Sequence, residues 1–242
     1  MRALRIFLII VVILGGLFVA ADRLAVHFAE GEVADRLKTQ EGLAETPSVD
    51  IKGFPFLTQV AGGKLNDVQV GMDGYEADTT VGGTVRIEDL EATMKDVSFS
   101  GDYSSATAAT ATGGAVIPYG ELLKAAKSQP VTLAPGITAQ VTGISAGGGG
   151  KIKVSIKISV GGASQTYPVL ASVTVVDGDT VVVKADSLPS LGISLADSVL
   201  RSVTDFQQKI EGLPGGIKLN TVQGGTNGVE ITVKGSNVKL AG

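Results

Sequence analysis

The chain contains no cysteine and no tryptophan, and a single histidine, His27. Without cysteine there are no disulfides, thiolate metal sites, cysteine nucleophiles or lipid-acylated cysteine. One histidine cannot build a histidine-rich metal centre within one chain. Aromatic residues are only 5% of the total, so a core must be filled by Val, Ile, Leu and Ala. Basic runs are missing as well. The net charge is −4, and no cluster of Lys and Arg stands ready to neutralise phosphates, so nucleic acid is not an expected partner.

What is present is apolar and rich in turns. Of 242 residues, 44% are hydrophobic and 33 are glycine. That length suits one large β-rich domain or two small ones. The composition suits many strands joined by tight turns.

Arg2 and Arg5 precede an uncharged run over residues 6–21, IFLIIVVILGGLFVAA. A basic start followed by an apolar stretch is an export pattern. The run is short for a membrane span, which needs about 20 residues. It fits either a signal peptide cleaved after Ala21 or an uncleaved signal anchor. Either way, residues 1–21 are set apart and residues 22–242 are expected to form a single domain. Residues 22–38 read as an amphipathic helix with Val26, Ala29, Val33 and Leu37 on one face. His27 lies on this helix and reads as a partly exposed surface residue, with no second catalytic group evident.

The most distinctive stretch is 48–72, SVDIKGFPFLTQVAGGKLNDVQVGM. Val49 and Ile51 alternate with Asp50 and Lys52 as in a strand. The strand breaks at Gly53, a short helical turn follows Phe54-Pro55-Phe56-Leu57, and a second alternating run carries Leu65, Val68 and Val70. Extended, Phe54 and Phe56 would share a face; if Pro55 starts a helical turn, they diverge. Residues 84–99 alternate in three phases: Val85 and Ile87, then Leu90, Ala92 and Met94, then Val97 and Phe99. Two slips in one strand predict bulges and a curved sheet.

Further along, 103–115 reads as a Thr- and Ala-rich strand and 120–127 as a short helix. A meander follows over 137–144, 151–160, 167–176 and 180–186, with Asp177-Gly178 a strong hairpin signal. Leu195, Val199, Val203, Phe206 and Ile210 repeat at helical spacing, with Ser194 as N-cap and Gly212 and Pro214 as stops. Residues 217–240 are a last set of strands, turned at Asn227-Gly228. The expected fold is α+β: a long, strongly curved antiparallel sheet wrapped around amphipathic helices, with an N-terminal hydrophobic helix.

Motifs for catalysis fail on context. Gly143-Ile144-Ser145-Ala146-Gly147 matches G-x-S-x-G, but glycines and a strand follow, and no histidine comes after Ser145. Gly150-Lys151 lacks the first P-loop glycine and the Ser or Thr that holds magnesium. Asp177 and Asp179 offer far fewer oxygens than the six to eight or so that calcium takes. Asp89, Glu91 and Asp96 belong to the polar register of a strand. No catalytic residue, metal site or cofactor is expected. An apolar pocket for acyl chains leaves almost no residue-type signature, yet about 0.8 kcal/mol per buried methylene suffices to hold a chain.

Val49, Ile51, the run GFPFLTQ at 53–59, Gly63, Leu65, Val68 and Val70 together resemble the LmeA-like phospholipid-binding proteins of the actinobacterial cell envelope. Ile117-Pro118-Tyr119-Gly120-Glu121-Leu122 is similar too. So are Leu213-Pro214-Gly215-Gly216-Ile217-Lys218-Leu219 and Val229-Glu230-Ile231-Thr232-Val233-Lys234-Gly235. The resemblance implies an exported envelope protein that binds phospholipid, with a fold akin to tubular lipid-binding domains. Candidate lipid contacts from the residue pattern are Phe54, Phe56 and Leu57, with Val199, Val203 and Phe206 on the facing helix. Expected partners are phospholipid and, through the N-terminal segment, the membrane. The rival expectations are an envelope scaffold that binds a protein partner without a lipid cavity, and a glycolipid enzyme, for which the sequence nominates no pair of carboxylates.

Overall fold

The computed structural model describes residues 2–40, 42–78, 84–101, 105–125, 130–188, 201, 204–209 and 216–241. The fold is α+β, as the sequence predicts: mostly antiparallel sheet, with a strongly curled half-barrel sheet and a long apolar N-terminal helix. Helix α1 spans Arg2–Gln40, strand β1 Ser48–Lys52 and helix α2 Phe56–Ala61. The long strands β2 (Lys64–Asp78), β3 (Thr84–Phe99) and β4 (Ala106–Pro118) lead to helix α3, Tyr119–Ala125. Strands β5 (Val131–Ala134), β6 (Ile137–Gly148), β7 (Lys151–Val160), β8 (Ala163–Val176) and β9 (Thr180–Ala185) follow as the predicted meander. Strands β10 (Phe206–Lys209), β11 (Ile217–Gly224) and β12 (Gly228–Ala241) complete the order. One six-stranded sheet runs β1-β2-β3-β4-β12-β11 and the other β10-β9-β8-β7-β6-β5. The chain divides into two compact units, Met1–Met72 with Glu91–Ala111 and Ser236–Gly242, and Asp73–Leu90 with Thr112–Gly235.

In the first unit, α1 is one helix of 39 residues. The uncharged run and the predicted amphipathic helix are therefore joined without a break. Asp22, Val26 and Ala34 are buried. They lie at multiples of four residues along the helix, so they stack on one face. Val33, predicted to face inward, is exposed, and Ala34 takes its place. Strands β1 and β2 pair antiparallel, with Val49 opposite Val70 and Ile51 opposite Val68. Ile51, Phe56, Leu65, Val97, Ala108, Ala111 and Val238 are buried.

The phase slips read from β3 have a backbone cause. Asp89 and Asp96, which sit at the two slips, both have φ of 51°. A left-handed residue inside a strand is bulge geometry, and Asp tolerates it better than most residues. Both residues thus mark bends in β3. Ser145, in the rejected hydrolase pattern, lies mid-strand in β6 opposite Lys153.

The second unit holds the meander sheet. Ile152 pairs with Ala171, which pairs with Ala185, and all three are buried. Tyr119, Ile152, Ala171, Val183, Val222 and Val229 form one core cluster. Ala139, Ile156, Ile158, Val169 and Ala185 form another. Two turns of the meander also hold β11. The Leu219 N–H donates to the Gly178 carbonyl at 2.7 Å, and the Gly224 N–H to the Gly150 carbonyl at 2.7 Å.

The predicted helix over 195–210 needs correction at its end. Phe206–Lys209 is a strand, with Phe206 opposite Val183 on β9. Arg201 and Thr204 are helical, and the Asp205 N–H donates to the Arg201 carbonyl at 2.8 Å. Asp205 then accepts the Ala185 N–H at 3.0 Å, which ties this turn to the end of β9. The open edge of β9 supplies backbone partners for the next four residues, and sheet pairing overrides helical spacing there. Val199 and Val203 lie outside the described residues.

Candidate functional site

The site is built from the corner between β1 and β2, where 53–59 reads GFPFLTQ. Gly53 has φ of +99°, a conformation that residues with a side chain rarely adopt. A Cβ there would also lie 2.8 Å from Gln59 Nε2. Gln59 turns back across this bend, and its Oε1 accepts the Asn66 N–H at 2.9 Å. Pro55 precedes α2 in an extended conformation, φ −77° and ψ 139°. The two phenylalanines therefore diverge. Phe56 is buried at 7% exposure, whereas Phe54 is 58% exposed. Leu57 follows at 37%.

The start of α2 has no side-chain cap of its own, because proline stands at the N-cap position. The cap comes from α1. Asp22 Oδ1 accepts the Leu57 N–H at 2.8 Å. A carboxylate at a helix N-terminus meets unpaired N–H groups and the positive end of the helix dipole. Asp22 is fully buried, and its other oxygen pairs with Arg23 Nη2 at 2.6 Å. Arg23 is half-exposed. Its guanidinium carbon lies 5.3 Å from the centre of the Phe54 ring, within cation–π range. About two turns later on the same face, Glu30 Oε1 accepts the Ile51 N–H at 2.9 Å. Two carboxylates of α1 thus hold β1 and α2.

Sequence reasoning found the corner but missed Asp22, Arg23 and Glu30. A signal was present. Asp22 sits four residues before Val26 on the apolar stripe, and a carboxylate in an inward register needs a donor.

The candidate contacts fall in different places. Phe54, Phe56 and Leu57 belong to the first unit, and Phe206 belongs to β10 in the second. Val199 and Val203 lie outside the described residues. Among the described residues, no group of three or more His, Asp or Glu converges as a metal site would require.

Tyr119 shows how two distant sequence patches become one structure. It is buried, and its hydroxyl donates to the Gly225 carbonyl at 2.8 Å. Burial, with the Glu230 carboxylate nearby, pushes its phenol pKa up, so it stays a donor. A Cβ on Gly228 would lie 2.3 Å from the Ile117 carbonyl oxygen. The stretch around 117–122 and the 225–230 turn are therefore interlocked.

A family model for LmeA-like phospholipid-binding proteins matches residues 20–234. The chain belongs to this family. The match begins two residues before Asp22 and takes in both the corner and the Tyr119 interlock. No curated protein and no solved structure matches the chain. The family is a lipid-binding family, not an enzyme family.

Proposed function

We propose that this protein is exported, anchored in the membrane by residues 6–21, and that residues 22–242 act as one phospholipid-binding domain of the cell envelope. The family match over 20–234 carries this reading. The corner supports it, because an aromatic ring and a leucine are left in solvent beside a half-buried cation. Phe54 and Leu57 contact acyl chains at this corner. Phe56 anchors the corner from inside. Each methylene removed from water contributes about 0.8 kcal/mol, so a modest length of acyl chain holds a lipid without any charged site.

The apolar part of α1 supports the anchor. A window of this helix has a mean hydropathy of 2.8, and none of it is buried by the rest of the chain. The unbroken course of α1 into the Asp22 cap supports a retained anchor over a cleaved signal peptide.

The test is to purify the full chain, extract it with organic solvent and identify lipids by mass spectrometry. Co-purified phospholipid, and uptake of phospholipid from vesicles, are expected. A lipid-free protein that takes up nothing from phospholipid vesicles would leave the scaffold as the better reading.

A further inference from the structure

Helix α1 carries an apolar stripe that does not stop where its uncharged run stops. Ile10, Leu14, Leu17, Ala21, Leu24 and Phe28 follow one another at alternating four- and three-residue steps, so they share one face. Asp22, Val26 and Ala34, which pack inward, lie on the other side. Leu24 and Phe28 are 63% and 78% exposed, although both lie beyond the first charged residues. Gly31, Glu32 and Asp35 then end the stripe.

Length shows what covers it. Residues 6–21 rise by only about 24 Å at 1.5 Å per residue, less than the roughly 30 Å of a bilayer's hydrocarbon core. Counted along the stripe to Phe28, the same helix presents an apolar face of about 34 Å. A run shorter than the core is met by thinning of the bilayer and by flanking residues held at its edge, and the flanking residues that stay apolar are those of the stripe, Leu24 and Phe28. Arg23, just past the uncharged run, is placed to reach the headgroups by its long stem while its guanidinium covers the Phe54 ring at 5.3 Å. That contact sets Phe54 beside the first turn after the uncharged run.

We infer that the first unit is seated in the bilayer interface, with Leu24, Phe28 and Phe54 inserted among phospholipid headgroups and upper acyl chains. This deepens the proposed function: the corner meets lipid at the membrane surface rather than from solution.

The chain has no tryptophan, so Phe28→Trp and Phe54→Trp each give one emitter at a known place. The full-length variants are reconstituted in phosphatidylcholine vesicles, with and without lipids brominated near the headgroup. Both positions are largely exposed, so folding is expected to survive, and thermal melts check it. Blue-shifted emission quenched by brominated lipid at both positions is the expected result. Water-like emission without quenching overturns the seat. So does blue-shifted emission that brominated lipid fails to quench, which would place a second copy of the chain on the stripe. The proposed function fails separately: a seated but lipid-free protein loses the binding reading and keeps the seat, and an unseated protein that carries phospholipid does the reverse.

Discussion

Truncating Phe56 and Phe54 separately should split the stability of the corner from its lipid contact. Phe56 is 7% exposed, and Phe56→Ala removes a buried ring from beneath the start of α2. Such truncations cost about 3–5 kcal/mol, made up of lost transfer energy and the cavity left behind. Phe54 is 58% exposed, so its ring stays largely hydrated in the folded chain. Its described polar partner is Arg23, and an exposed cation–π pair contributes about 0.5–1 kcal/mol. The two variants should therefore differ by at least about 2 kcal/mol, more than a tenfold difference in the folding equilibrium. For a chain of this size, each kcal/mol moves Tm by about 2–4 °C, so Phe56→Ala should melt roughly 6–20 °C lower and Phe54→Ala less than about 4 °C lower. The assay pairs thermal melts in detergent with mass-spectrometric counting of retained phospholipid. Phe54→Ala should keep its Tm and lose lipid. If Phe54→Ala destabilised the chain as much as Phe56→Ala, or retained lipid at the wild-type level, the division of labour between the rings would be wrong.

Asp22→Ala should free the Leu57 N–H and leave Arg23 without its carboxylate, and faster hydrogen exchange at the Leu57 amide reads this directly; Asp22→Asn, which keeps an acceptor, should exchange more slowly than Asp22→Ala. Tyr119→Phe should lower stability by about 1–3 kcal/mol in denaturant melts, because the Gly225 carbonyl loses its buried donor. Stability should also fall in acid through Asp205. Burial raises its pKa, but the Ala185 N–H, Thr204 and Arg201 together outweigh burial and hold it below the usual 3.8. A lowered folded pKa means that the contribution is present above the unfolded pKa and lost as pH falls through the folded value. Asp205→Asn should therefore flatten the acid limb of a stability–pH profile and leave less to lose below about pH 4.

Much of this architecture was legible because it is encoded locally. The slips in the alternation of 84–99 located the bulges, since each extra residue flips every later side chain to the other face. Asp177-Gly178 gave a hairpin for the same kind of reason: Asp177 and Gly178 both have positive φ. What stayed hidden depends on partners far along the chain. Asp22 caps a helix that begins more than thirty residues later, and nothing in the sequence around Asp22 names Leu57. The end of the predicted helix at 195–210 went wrong because the periodicity of Phe206 with Val199 and Val203 cannot register that β9 offers an unpaired edge. The candidate site was half legible. GFPFLTQ marked the corner, while the choice between its two rings was settled by the backbone at Pro55 and by α1.

Helix α1 passes from its uncharged run to Asp22 and Glu30 without a hinge, so the corner has no swivel. Whatever grips the apolar end also sets the azimuth of the corner. One alanine inserted between Ala20 and Ala21 would turn Asp22 and everything it holds by about 100° and lift it by about 1.5 Å, relative to residues 6–20. The corner behaves like a key on a rigid shank rather than a buoy on a chain, and it is aimed by helical phase.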